Sequence, residues 1–318
     1  MKPAISRIYI RLRLAFSLAM ISLPVLQAES LCPGNVASVT PRLVQRALIV
    51  IPVKINQKGP FDFMVDTGTQ ITVVDPSLAS ELALKSQGNI GLVAVASYSQ
   101  ASVAVLDTLE ANSHVIEQSL AVVQDLGQIR EADTRIRGVL GESFLAHFDL
   151  LIDYSHRLLC LDDTRLMQRE VRGERIPLVT AKHSENDLPF TERLVLSVHL
   201  SDTGSRQILL QLDSGSDGPI LYARKNETEL PLLKRAALQG GDASNAQQAF
   251  ALLPPQDMRI GGHTFRNVPF VTPVSSARNV PDREEDGLLP TMLFQRVYIS
   301  FTNHYVIVDP RWDRRPRR

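Results

Sequence analysis

The chain has 318 residues, 34 basic against 34 acidic side chains, a formal net charge of zero, 44% apolar residues and two cysteines. Its length suffices for one large domain or two of about 150 residues, each with its own core. Balanced charge supplies no general field for nucleic acid or an anionic membrane, and two cysteines exclude a disulfide-dense scaffold and a cysteine-only zinc site.

Residues 1–30 read as a signal peptide. Lys2, Arg7, Arg11 and Arg13 form a basic start, Leu14 to Leu26 an apolar run, and Ala28-Glu29-Ser30 a small-residue cleavage site. The run is short for a membrane span, so the expected product is exported, periplasmic or secreted, with no stable span after removal. An uncleaved anchor is the alternative. These residues carry four basic and one acidic side chain, so their removal takes the net charge from zero to −3.

The body reads as mostly β. Ala47 to Ile55, Phe61 to Val65, Ile71 to Val74, Leu92 to Val95 and Val103 to Leu106 are short runs rich in β-branched residues, separated by turn residues. Asp75 followed by Pro76 marks a short helix to Leu82, with Asp75 as N-cap and Pro76 at the first helical position. A second short helix is expected from Glu142 to about His147. The charged stretch Asp162 to Asp187 breaks the strand pattern and reads as a connector. The expected division is a first lobe at 31–161, a connector at 162–190, a second lobe at 191–310 and a basic tail at 311–318.

The two halves repeat one another. Phe63-Met-Val-Asp66-Thr67-Gly68-Thr69 precedes Ile71 to Val74, and Leu212-Asp213-Ser214-Gly215-Ser216 precedes Ile220-Leu221. Gly138-Val-Leu-Gly141 begins 72 residues after Asp66, and Gly287-Leu-Leu-Pro290 begins 74 residues after Asp213. Each is followed by a phenylalanine and a strand ending in aspartate, Phe144 to Asp153 and Phe294 to Asp309. Ser119 to Val123 and Val268 to Val271 fall at similar distances after the two aspartates. Landmarks in matching order point to a duplicated unit.

An apolar strand running into Asp-Thr/Ser-Gly-Thr/Ser, with a glycine-apolar-apolar segment some seventy residues later, resembles the pattern of retropepsin-like and pepsin-like aspartic proteases. The resemblance covers roughly residues 45–310. It implies two similar β-barrel lobes, few helices, a cleft between the lobes, a peptide or protein substrate and a monomer with pseudo-twofold symmetry. It also implies that Thr67 and Ser214 tie the lobes together at the cleft.

The chemistry fits these residues on independent grounds. Hydrolysis of a peptide by water needs a base for the water and an acid for the leaving amine. Two adjacent carboxyls supply both, because like charges in contact share one proton. Asp66 and Asp213 are the expected catalytic pair. Gly68 and Gly215 let backbone N–H groups approach the carboxylates, and the hydroxyls of Thr69 and Ser216 are expected to donate to them and to lower the pair's pKa values. A flap is expected at about Leu92 to Val105, with Tyr98, Ser99 and Gln100 at its tip. Leu238 to Asn245 holds the comparable place in the second half.

Pro290 stands where the first half has Gly141, and Asp217-Gly218-Pro219 is less strand-like than Gln70-Ile71-Thr72. These departures leave room for a first lobe that works as a homodimer, or for a non-catalytic peptide-binding protein. The seven histidines are scattered without metal-ligand spacing, so neither metal nor cofactor is expected. Cys32 and Cys160 are compatible with one disulfide or with a buried thiol at Cys160. Asn226-Glu-Thr228 matches a glycosylation acceptor.

Overall fold

A computed structural model of the protein describes residues 32–93, 98–179, 193–204, 206–222, 234–241, 247–274 and 284–312. The signal segment, the Asn226 acceptor, the two hairpin tips, residues 180–190 of the connector and residues 313–318 of the tail lie outside the described residues. In the first half β1 (Ser38–Val39) and β2 (Arg42–Val44) precede a hairpin of β3 (Leu48–Ile55) and β4 (Lys58–Val65), then β5 (Thr72–Val74). Next come β6 (Ser86–Val93), β7 (Tyr98–Ala111), β8 (His114–Val123), β9 (Ile136–Leu140) and the hairpin of β10 (Asp149–Asp153) with β11 (Leu158–Asp162). The second half holds β12 (Ile176–Pro177), β13 (Val195–Leu200), β14 (Ile208–Asp213), β15 (Ile220–Leu221), β16 (Lys234–Gly241) and β17 (Gln247–Leu252). It ends with β18 (Gln256–Ile260), β19 (His263–Val268), β20 (Val271–Pro273), β21 (Gly287–Pro290), β22 (Arg296–Ser300) and β23 (Tyr305–Val308). Four short helices are α1 (Pro76–Glu81), α2 (Gly127–Ala132), α3 (Glu142–Leu145) and α4 (Leu166–Glu170).

One strand order occurs twice. The first sheet runs β2-β3-β4-β9-β5-β8-β7-β6, and the second runs β19-β18-β13-β14-β21-β15-β20-β17-β16. Laying β3 on β13, β4 on β14, β9 on β21 and β5 on β15 superimposes the two orders. The long strands β7 and β8 correspond to pairs of shorter ones, β17 with β18 and β19 with β20. The parallel pairs repeat as well, β4 with β9 and β5 with β8 in one, β14 with β21 and β15 with β20 in the other. Parallel strands covered on both faces read as unbroken apolar runs, which is why Phe63-Met-Val65 and Gly138-Val-Leu140 lack polar alternation.

A third sheet, β1-β11-β10-β22-β23-β12, joins the halves through the antiparallel pair β10–β22. Alternation along its strands separates two faces. Leu150, Ile152, Val297 and Ile299 face a core shared with both other sheets, whereas Leu151, Cys160, Tyr298 and Ile307 pack with Cys32, Met167 and Val171 on the opposite side. Cys32 and Cys160 form a disulfide across 128 residues, which closes the alternative of a free thiol.

Asp75 caps α1 as the sequence indicates, its carboxylate accepting the Ser77 N–H at 3.0 Å behind Pro76. The hairpin β6–β7 is far longer than the Leu92 and Val103 runs suggest. Ser86 to Gly91 is polar and glycine-rich because β6 is an edge strand, and its pairing with β7, not its own composition, makes it a strand. Within the described part of the connector, α4 and β12 are ordered elements, and β12 completes the joining sheet.

Candidate active site

Each parallel pair carries one aspartate to the same edge of its sheet. Asp66 directly follows β4 and gives its N–H to Leu140 O at the end of β9, at 3.0 Å. Asp213 closes β14, in register with Pro290 at the end of β21. Both side chains are buried, at 7% and 8% exposure. The two loops face each other so closely that a Cβ on Gly68 would stand 2.6 Å from the Asp213 carboxyl carbon, and one on Gly215 would stand 2.5 Å from that of Asp66. Neither glycine needs a left-handed backbone; the side chain is excluded because the opposing carboxyl occupies its place.

Thr67 and Ser214 lock the loops reciprocally. Thr67 N–H donates to Ser214 Oγ at 3.1 Å, and Ser214 N–H donates to Thr67 Oγ1 at 3.0 Å. Each hydroxyl then donates onward into the other half, Thr67 to Leu212 O at 3.0 Å and Ser214 to Val65 O at 2.9 Å. All four bonds are buried, so leaving any of these groups without a partner would incur its desolvation cost.

The carboxyls themselves are not held alike. Asp66 accepts the Gly68 N–H at 2.8 Å and the Thr69 hydroxyl at 2.7 Å. Asp213 accepts the Gly215 N–H at 2.7 Å and the backbone N–H of Ser216. The Ser216 hydroxyl, expected on Asp213, donates instead to Gly218 O at 2.8 Å. The departure traces to Asp217-Gly218-Pro219, which turns that carbonyl back toward Ser216 where the first half continues into β5.

Asp213 is held well above the usual carboxylate range, first by burial and then by the charge and hydrogen bond of Asp66, with the Gly215 and Ser216 amides opposing. This reverses the expected lowering, since burial beside a second carboxyl outweighs the backbone donors.

Of the residues expected at the flap, Tyr98 opens β7 opposite Val93 and is 48% exposed. Its ring lies against the hairpin's own edge strand, where a Cβ on Gly91 would meet the phenol oxygen. Ser99 Oγ is buried and has no hydrogen-bond partner among the described residues. In the second half β16 and β17 form the hairpin equivalent to β6–β7, with its tip outside the described residues. Asp153 and Asp309 hold local structure: Asp153 takes the His156 N–H at 3.0 Å, and Asp309 takes the Arg296 N–H at 3.1 Å.

Sequence reasoning missed two contacts at the site. Gln211 Nε2 donates to Gly68 O at 3.1 Å; a lone polar residue within Ile208-Leu-Leu-Gln-Leu212 was its signal. Tyr154 reaches Thr291 below Asp213, and no local pattern announces a pair 137 residues apart. Small apolar clusters flank the two loops, Ile71 with Ala101 and Val122 on one side, Ile220 with Phe250 and Leu288 on the other.

Residues 51–144, which contain Asp66 to Thr69 and the Gly138 to Gly141 partner, match the family model described as Aspartyl protease. That segment is similar to the aspartyl protease family, and the match supports a protease activity. No curated protein matches. Among solved structures the chain is similar to a retropepsin-like aspartic protease from Rickettsia conorii, at 21% identity over 39% of this chain and 88% of that one, with a TM-score of 0.29.

Proposed function

We propose that the protein is an exported aspartic endopeptidase in which Asp66 and Asp213 of one chain form the catalytic pair, without cofactor. The observation that carries this reading is the mutual exclusion at Gly68 and Gly215, each lying against the other half's carboxyl. The shared proton is assigned to Asp213, whose protonated form is favoured by burial and then by the neighbouring charge of Asp66. In this scheme Asp66 takes a proton from a water held between the carboxyls while Asp213 gives its proton to the peptide carbonyl oxygen. Water oxygen bonds to the carbonyl carbon, and the resulting gem-diol collapses when the proton on Asp66 passes to the leaving nitrogen and the C–N bond breaks. Asp213 recovers its proton from a diol hydroxyl.

An extended peptide would lie across the two loops beneath the hairpins β6–β7 and β16–β17, with Tyr98 and Ser99 on the first. The apolar clusters around Ile71 and Ile220 would accept its side chains. The disulfide supports export, because such bonds persist in oxidising compartments.

The pH dependence follows from the pair holding one proton. Activity falls at low pH as a second proton binds, and falls again as pH rises through the raised value of Asp213. The test is cleavage of unfolded protein substrates between pH 3 and 9. A bell whose alkaline limb lies above the ordinary carboxylate range supports the reading; no cleavage below pH 6 with a maximum above pH 8 overturns it.

A further inference from the structure

We propose that Tyr154 and Thr291 are a positioning pair that holds the Asp213 side of the site, doing for that loop what the first turn of α3 does for the loop of Asp66. The inference rests on the reading of Asp66 and Asp213 as one catalytic pair. In the first half the N–H groups of Glu142 and Ser143 donate to Thr69 O and Gln70 O, both at 2.8 Å, and Ser143 Oγ accepts the Thr72 N–H at 2.9 Å. Gly141 permits that approach, since a Cβ there would stand 2.6 Å from Thr69 O. The loop of Asp66 is thereby fastened to the turn that follows β9.

The second half has Pro290 in the place of Gly141 and a single 3-10 turn, Thr291–Leu293, in the place of α3. Among the described residues no backbone hydrogen bond joins that turn to Ser216, Asp217 or Gly218. The turn is held from the other half instead. The Tyr154 hydroxyl lies 2.5 Å from Thr291 Oγ1, and Thr291 is fully buried. Tyr154 is the first residue after β10, the strand that joins the halves through β22, and its own N–H is fixed on Gln295 O at 3.0 Å. Thr291 directly follows Pro290, the register partner of Asp213. Tyr154 therefore bears on the strand end beside Asp213 through one part-buried hydrogen bond.

The titratable groups that face Asp213 are Asp66 from the opposing loop and Tyr154. The Tyr154 phenol is pushed up by burial, opposed by its hydrogen bond with Thr291, and given a smaller upward push by the charge of Asp213. It stays neutral wherever the carboxyls titrate, so it acts through position and not through charge.

The test compares kcat and KM against pH, with thermal midpoints, for the wild type, Tyr154→Phe, Thr291→Val and Thr291→Ser. Tyr154→Phe and Thr291→Val are expected to lose about tenfold in kcat with KM little changed. Their alkaline limb should move down by about one pH unit as the fit of Asp213 against Asp66 loosens. Thr291→Ser keeps the hydroxyl and should retain the wild-type profile. Lower midpoints with an unmoved limb and unchanged kcat overturn the proposal, because a purely structural bond would do only that. A wild type that cleaves nothing at any pH is a failure of the proposed function, and positioning is then read from stability alone. The wild-type midpoint should fall relative to Asp213→Asn as pH rises from 4 to 7, and Tyr154→Phe should shrink that fall; an equal fall in both overturns the proposal.

Discussion

At the residue scale, the site depends on two places where a methyl group does not fit. Gly68→Ala and Gly215→Ala would each set a Cβ inside contact distance of the opposing carboxyl, 2.6 Å and 2.5 Å from its carbon. The carboxyl cannot rotate away without losing the Gly215 or Gly68 amide that holds it. Displacing a reacting group by about 1 Å costs on the order of a hundredfold in rate. Single-turnover cleavage should therefore drop about that far in either variant, with KM changed much less. The aspartates, the glycines and the Thr67–Ser214 link were all legible, because each sits in a repeated short pattern whose chemistry is local. The raised pKa of Asp213 was not legible: it comes from burial beside Asp66, and the Ser216 hydroxyl is drawn to Gly218 O, outside the triplet.

At the scale of elements, strands with their own apolar signal were readable and strands made by pairing were not. β3 and β5 carry β-branched runs and β4 ends in the buried apolar run Phe63-Met-Val65, whereas β6 is an edge strand whose polar residues need β7 beside them. α1 was readable through its cap alone, Asp75 before Pro76. The short N-terminal segment is fastened by chemistry of another kind. Its Cys32 is bonded to Cys160 in β11, closing 128 residues of chain. In the chain-entropy account a loop of this length is worth about 4–5 kcal/mol through the unfolded state. Cys32→Ser should lower the denaturation midpoint substantially, and reductant should lower that of the wild type while leaving the variant unaffected. Equal midpoints for oxidised and reduced wild type would show that the covalent link contributes nothing to stability.

At the scale of the whole molecule, a duplicated strand order and a shared central sheet bring two unlike copies of one loop into contact. The copies diverge where the sequence already departs from symmetry, at Pro290 and at Asp217-Gly218-Pro219. One chain therefore holds two carboxyls in different settings, which a pair of identical chains would have to reach by breaking its symmetry. In the proposed scheme either aspartate alone leaves the other without the partner that shares its proton, so the pair and not the single residue is the unit that matters.

The most direct measurement is peptide cleavage by Asp66→Asn, by Asp213→Asn and by an equimolar mixture of the two, against the wild type at its optimal pH. An intramolecular pair predicts that each variant loses at least about a thousandfold and that mixing restores nothing. Wild-type activity in Asp213→Asn, or recovery on mixing, would contradict the pairing of Asp66 with Asp213 in one chain.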